Sequence, residues 1–285
     1  MKSVLREIVE HKRGEVAARE ATRPLASFEK EVTLADNRFL SSFAPRDSAN
    51  IIAEVKPRSP SMGSASSSFD LSTVLSTYNK YARAISVLTD EKYFGGSLAL
   101  LAEVKKHSSL PVLCKDFIIS RYQVFEARAA QADAILLIVK SLSDGDFAQL
   151  YYQCTQLGMT AVVEVQNEAE VERALKVNPQ LILVNNRNLD SLEIDLATSE
   201  RLMPLIPDSV VKVVASGIES AADMKRLANV SNNFLIGSSL MKSGNVEEKL
   251  HELATALSPS VGEAHAPRGS GSRMRLPYGD SGEKP

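Results

Sequence analysis

A few charged residues interrupt runs that are otherwise apolar, and their types and spacing suit proton transfer on an anionic ligand. Glu54 and Lys56 end the run Ile51-Ile-Ala-Glu-Val-Lys56 two residues apart, so both project to one side of an extended strand. Lys115 lies in Val112-Leu-Cys-Lys-Asp-Phe117 and Glu164 in Ala161-Val-Val-Glu-Val165. Asn185 and Arg187 stand at the end of Leu181-Ile-Leu-Val-Asn-Asn186 and just beyond it. A charge buried without a partner is costly. Ammonium and carboxylate groups gathered at one place neutralise one another and can exchange protons with a substrate. Lys56, Lys115 and Arg187 outnumber Glu54 and Glu164, which favours an anionic ligand. A structural ion-pair layer accounts for any one of these residues as well as catalysis does, but four strands would then share one accident.

A second group could hold a phosphate. Ser216-Gly217-Ile218 and Gly237-Ser238-Ser239 offer small residues whose backbone N–H groups can approach an anion, with a short helix start after the second. Ser59 and Ser61 could close the same site from the far side. Phe94 and Phe117 each closely follow a strand and could wall an aromatic ligand or pack beneath a loop. Cys114 neighbours Lys115 and should face the other way, so no thiol nucleophile is expected.

Eight apolar, β-branched runs position these residues. Besides the four above they are Ala84–Thr89, Ala134–Val139, Val210–Ser216 and Asn233–Ser238. Their near-continuous apolarity predicts strands covered on both faces. Helical periodicity fills the gaps: Asp70–Ala82, Ser120–Ala129, a helix through Phe147, Leu150 and Tyr151, Asn167–Leu175, Ser199–Leu205 and Ser220–Leu227. Asn167 with Glu170 and Ser220 with Asp223 resemble capping boxes. Met159, Phe125 and Tyr122 read as packing residues. Eight β–α repeats predict a (β/α)8 barrel of the phosphate-binding type, whose active site lies at the C-terminal strand ends and whose phosphate site commonly follows strands 7 and 8. No nucleotide-binding glycine motif argues for an open sheet. Ser3–Arg19 reads as an amphipathic helix, with Val4, Ile8 and Val16, packing on the barrel. The barrel with this extension is expected over residues 1–257, and 258–285, rich in Pro, Gly, Ser and charge, reads as a disordered tail.

Composition narrows the function classes. The 285 residues are 44 % apolar and 24 % charged, an ordinary globular balance. A net charge of −2 gives no field for nucleic acid or an anionic membrane. Ala134–Val139, the longest unbroken apolar run, is far short of the roughly 20 residues of a spanning helix. Cys114 and Cys154 are too few for a disulfide framework, and charges fill residues 1–20, so a cytoplasmic location is expected. Four scattered histidines disfavour a metal site or a histidine triad.

At these residues the sequence resembles indole-3-glycerol phosphate synthase. The matching stretches are IIAEVKPRSPSMG (51–63), AISVLTDEKYFGGS (84–97), PVLCKDFIISRYQVFEAR (111–128), ADAILLI (132–138), LGMTAVVEV (157–165), NNRNLDSLEIDL (185–196), SGIESAADM (216–224) and FLIGSSLM (234–241). The resemblance implies ring closure of 1-(2-carboxyphenylamino)-1-deoxyribulose 5-phosphate, with loss of carbon dioxide and water, as a step of tryptophan synthesis needing no metal or organic cofactor. It implies Lys115 as the acid that protonates the ketone oxygen, Lys56 as holder of the substrate carboxylate, the two being able to exchange parts, and Glu164 as acid or base in the dehydration. Glu54 would orient the lysines. Asn185 and Arg187 would bind the sugar, Phe94 and Phe117 the anthranilate ring, and Ser59, Ser216, Gly217, Gly237 and Ser238 the phosphate. It also implies association with other tryptophan-pathway enzymes, and some members continue into a phosphoribosylanthranilate isomerase barrel.

Two positions depart from the family pattern. Ala215 replaces a glutamate before Ser216-Gly217, and Leu183 replaces a glycine two residues before Asn185. Reduced rather than absent activity is expected. The alternative is a barrel that binds the phosphorylated ligand without efficient turnover. An aldose–ketose isomerase would call for Asp or Cys at strands 1 and 6, which are absent.

Overall fold

The computed structural model describes residues 3–43, 48–56 and 70–258. Eight parallel strands close on themselves in sequence order: β1 Asn50–Val55, β2 Ala84–Leu88, β3 Val112–Lys115, β4 Ala134–Ile138, β5 Thr160–Val165, β6 Leu181–Asn185, β7 Val211–Ala215 and β8 Asn233–Ile236. Each is a (β/α) repeat in an expected place. The strands end one or two residues before the ends of several of the apolar runs. Helices α3 Leu71–Tyr81, α6 Arg121–Ala129, α7 Asp144–Gln156, α8 Glu168–Leu175, α9 Ala197–Leu202 and α10 Ala221–Leu227 fill the expected gaps. Pro204 turns the end of the expected Ser199–Leu205 helix into a separate 3-10 turn. Both halves of the Ser220–Asp223 capping box form. Two long helices went unassigned from periodicity, α5 Leu98–His107 and α12 Val246–Thr255, capped by Ser97 and Asn245. The short α4 Glu91–Phe94 and α11 Ser238–Lys242 follow β2 and β8.

The pleat sorts the strand residues into two buried layers. Ile51, Ala53 and Val55 of β1 face the helices with Cys114 of β3, Val163 of β5 and Val184 of β6. Ile52, Leu113, Leu136, Val162, Leu183 and Val213 fill the barrel interior. The same alternation sends Glu54, Lys115, Glu164 and Asn185 inward, one layer nearer the mouth. Met159, Phe125 and Tyr122 are buried between sheet and helices, as expected.

The chain before β1 closes both ends of the barrel. Helix α2, Arg38–Ser41, lies at the lower end, where Arg38 pairs with Asp133 and Phe39 and Phe43 join the inner cluster. Helix α1, Val4–Thr22, is capped by Ser3 and lies against the mouth. Its buried face is Leu5, Ile8, Val9, Lys12 and Val16. Val4 is instead 36 % exposed, a correction to the expected face. Leu5, Ile8 and Val9 share a cluster with Phe117 and Ile138, with Tyr93, Phe94 and Leu189 packed on it. Ser3 hydrogen-bonds Asp190 in the loop after β6, and Lys140 pairs with the same aspartate. The α1 helix therefore spans loops after several strands and roofs the cavity below.

Candidate active site

One cavity of about 260 Å³ opens at the C-terminal mouth. That volume suits a small molecule better than a polymer. Its walls bring together Glu54, Lys56, Lys115, Glu164, Asn185, Arg187, Phe94, Phe117, Ser216, Gly217, Gly237 and Ser238, which come from the ends of six strands and from the β2 and β3 loops. Ser59, with Ser61, lies outside the described residues.

Glu54 is the electrostatic centre. Its carboxylate lies 3.3 Å from Lys115 Nζ and 3.7 Å from Lys56 Nζ. Burial alone would raise the pKa of Glu54, but the two ammonium groups override it and hold the carboxyl below its usual range. Glu54 is thus an anion at neutral pH that aligns two lysines from different strands. The lysines diverge. Burial would lower Lys115, yet Glu54 and Glu164 raise it and keep it charged. Burial lowers Lys56, Glu54 opposes, and the neighbouring Lys115 and Arg187 reinforce the lowering, so Lys56 releases its proton more readily than a free lysine. Lys56 also donates to Ser238 Oγ at 3.4 Å, tying it to the segment after β8.

Glu164 is buried, and burial lifts its pKa against the pull of Lys115 and of Asn185, whose Nδ2 donates to Glu164 Oε1 at 3.0 Å. A buried carboxyl whose pKa is raised keeps its proton more readily than a free one and can act as acid and then as base. Two carboxylates in one cavity are thus pushed in opposite directions. Asn185 Oδ1 accepts the backbone N–H of Arg187 at 3.0 Å, and Arg187 Nη1 donates to Leu192 O at 2.9 Å. The guanidinium is therefore anchored to a short hairpin, closed by a bridge between Arg187 and Ile194. Phe94 and Phe117 stand with ring centroids 6.1 Å apart, a tilted pair forming an apolar wall.

The loop after β7 has an unusual backbone. Ser216 and Gly217 both have positive φ, at 67° and 83°. A Cβ at Gly217 would also fall 2.7 Å from Ile194 Cγ2, so only glycine fits there. At Gly237 the reason differs: a Cβ would lie 2.4 Å from Glu54 Oε1. The glycine makes room for the carboxylate that orients the lysines.

Some features escaped sequence reasoning. Lys242 and Glu219 face each other across the rim at 3.4 Å. Being of opposite sign, they leave the cationic surplus unchanged. Behind the aromatic wall, Lys12 meets Asp90 and Asp116. The signal was present, since Lys12 occupies the i, i+4 step between Ile8 and Val16. Ala215 and Leu183 both face the barrel interior, and Ala215 lines the cavity beside Asn185, its register partner. The Cys114 thiol faces the helices and burial pushes it up to about 12, which excludes thiolate chemistry there.

Comparison with known proteins agrees with this geometry. The chain is 41 % identical over 265 residues to the tryptophan biosynthesis protein TrpCF of Vibrio cholerae, covering 93 % of this chain and 56 % of that one. The protein of the same name from Salmonella typhi is 41 % identical over 241 residues, covering 85 % and 53 %. The chain spans about half the length of the curated relatives it matches. The structure of 3-hexulose-6-phosphate synthase from Salmonella typhimurium superposes with a TM-score of 0.60 at 11 % identity, over 73 % of this chain and 98 % of that one, which shows a shared fold alone. The sequence profile of the Indole-3-glycerol phosphate synthase family matches residues 5–253, and with that match the chain belongs to the indole-3-glycerol phosphate synthase family.

Proposed function

We propose that this chain closes the indole ring of 1-(2-carboxyphenylamino)-1-deoxyribulose 5-phosphate, releasing carbon dioxide and water, as a carboxy-lyase of tryptophan synthesis. The observation that carries this reading is the convergence of Glu54, Lys56, Lys115 and Glu164 on one cavity beside an aromatic pair. The substrate has an anionic ring carboxylate, a phosphate and an aromatic ring, and the cavity offers a group for each. Phe94 and Phe117 pack on the ring. Lys56 holds the carboxylate. The segments 216–217 and 237–238 receive the phosphate, Ser59 adding to it from the segment outside the described residues. Asn185 and Arg187 take the sugar hydroxyls.

Chemistry then follows charge development. The ring carbon bearing the carboxylate attacks the ketone carbon, and electrons move onto the ketone oxygen. Lys115, held charged by Glu54 and Glu164, stabilises that oxygen and delivers its proton. Loss of carbon dioxide from the same ring carbon restores aromaticity. The hydroxyl formed from the ketone must then leave: Glu164 gives it a proton so that it departs as water, and the resulting carboxylate takes a proton from the adjacent methylene carbon as the ring double bond forms. Lys56, the more readily deprotonated lysine, is the alternative donor in the first step.

The test is indole fluorescence on adding this substrate to the purified chain, with a continuous rise expected. Normal substrate binding without indole formation would overturn the reading. It would favour the second one, a barrel that binds the ligand without efficient turnover, for which Ala215 in the cavity wall is the specific observation. We place the reaction in the cytoplasm, supported by two cysteines that are both buried as free thiols. The reading extends to association with other enzymes of tryptophan synthesis, supported by longer relatives that carry a pathway name.

Gly237 supplies a separate check. Alanine there drives Glu54 off its lysines, and a displacement of about 1 Å at such a centre costs on the order of 10²-fold in kcat/KM. Steady-state kinetics of Gly237→Ala should show that loss, and an unchanged kcat/KM would remove Glu54 as the organiser.

A further inference from the structure

We propose that Lys12 on helix α1 is a positioning residue that sets the aromatic wall of the cavity by clamping together Asp90 and Asp116. The proposal rests on the reading of Phe94 and Phe117 as the surface that receives the substrate ring.

Lys12 is wholly buried, on a helix otherwise docked through apolar side chains. Its Nζ lies 2.8 Å from Asp90 Oδ2, 3.0 Å from Asp116 Oδ1 and 3.1 Å from Glu15 Oε2. Burial by itself would drive this lysine toward neutrality, but Asp116 and Asp90 more than offset it and keep it charged. An isolated buried ammonium would be expelled or neutralised, so the contacts with Asp90 and Asp116 define where this part of α1 sits, Glu15 lying on the same helix.

Each aspartate shapes one loop of the wall. Asp90 caps α4, its Oδ1 accepting the backbone N–H of Tyr93 at 2.7 Å, and α4 ends in Phe94. Asp116 Oδ1 accepts the N–H of Phe117 at 2.7 Å, and its Oδ2 accepts from Thr89 Oγ1 at 2.7 Å. Asp116 also directly follows Lys115. Two buried carboxylates side by side repel unless a cation lies between them. Lys12 is that cation, and it comes from a different part of the chain than either loop. With it in place the loops after β2 and β3 stay together and the two rings hold their separation. Without it the aspartates move apart and take Phe94 and Phe117 with them. A purely structural ion pair would weaken the fold without choosing among ligands, whereas this clamp predicts a loss confined to ligands bearing an aryl ring.

Two probes separate these outcomes by titration calorimetry. One is the substrate with its ketone reduced to an alcohol, which carries the ring and cannot close. The other is ribose 5-phosphate, which has no ring. In Lys12→Met, affinity for the first should fall about tenfold, the scale of one lost aromatic contact, while ribose 5-phosphate moves less than about twofold. Lys12→Arg, which keeps the charge, should recover most of the loss. If Lys12→Met fails to fold, Asp116→Asn removes half the clamp and one buried charge together and should give the same selective loss at about threefold. Equal losses for both probes, no loss in either variant, or a wild-type chain that does not distinguish the probes would overturn the assignment. A wild-type chain that prefers the aryl probe but forms no indole overturns the synthase reading and leaves the clamp standing.

Discussion

Replacing Lys115 by alanine should lower kcat by about 10²–10⁴-fold, the range for removing a positioned acid, while the ketone-reduced substrate binds almost as before. The expectation follows from where Lys115 sits. Glu54 is 3.3 Å from its ammonium, and Glu164 adds a second negative field, so the lysine is charged before substrate arrives. Its contribution is therefore largest when the ketone oxygen becomes an anion and small in the ground state. A loss confined to kcat is the mark of a group that acts only in the transition state. Single-turnover indole formation and calorimetry on the same variant separate the two. Should Lys115→Ala keep its turnover while Lys56→Ala loses it, the acid is Lys56, the lysine that burial already inclines to give up its proton.

Glu164→Gln carries the second large expectation, a loss of about 10²–10⁴-fold in the later, dehydrating step. The decarboxylated hydroxyl intermediate should then accumulate while ketone attack proceeds. Its pH signature follows from the buried carboxyl. Burial raises the Glu164 pKa, so its protonated form persists above the ordinary carboxylate range of about 4.3. As the donor to the leaving hydroxyl it must be protonated, so wild-type kcat should decline as pH rises through the raised value. Glutamine cannot titrate, and the variant should lose that limb. A profile that rises through the same ionisation would assign Glu164 the role of base. Stability runs in parallel: a carboxyl whose pKa is higher folded than unfolded stabilises the fold at low pH and loses that contribution as pH rises through the folded value. Glu164→Gln should accordingly gain stability at neutral and higher pH. Glu54 has the opposite sign. Its lowered pKa stabilises the fold above the unfolded value, and the benefit disappears as pH falls through the folded one. One cavity thus contains a carboxylate that supports the fold and another that strains it, a common trade where function needs a perturbed proton affinity.

Ala215 and Leu183 are the two positions expected from the sequence to depart from the family pattern. Both lie in the barrel interior, one at the cavity wall and one in the layer beneath it. Ala215 adds no carboxylate to the balance of Glu54, Lys56 and Lys115. Leu183 sits between Glu164 and Val213 in register and fills the floor under Asn185. Lys115 and Glu164 are both present, so lowered but measurable turnover is the expected result of the indole assay.

Much of this architecture was legible in the chain because strand and barrel are short-range patterns. Eight short apolar, β-branched runs alternating with helical patterns are what a closed parallel barrel requires. The expected barrel puts the C-terminal ends of its strands at one mouth, so Glu54, Lys115, Glu164 and Asn185 could be grouped there from the sequence. Helix α5 was harder to see. Leu98, Leu100 and Leu101 cluster at its start, and its buried face rests on Leu101 and Val104 alone.

Tertiary structure decided what no local pattern encodes. The amphipathic spacing of α1 marks a helix, but not that it roofs the active-site mouth or that its one buried lysine meets aspartates about 80 and 100 residues further along the chain. Spacing puts Glu54 and Lys56 on one side of β1, yet the lowering of both pKa values depends on what the closed barrel adds: Lys115 at Glu54, and burial with Lys115 and Arg187 at Lys56. The glycine at 237 reads as a phosphate-loop residue, and only packing shows that it also clears space for Glu54. The physical reason is common to all three. Backbone periodicity is set by neighbours three or four residues away, whereas the field at a buried charge is set by whatever the closed barrel brings within a few ångströms, and that depends on the whole chain at once.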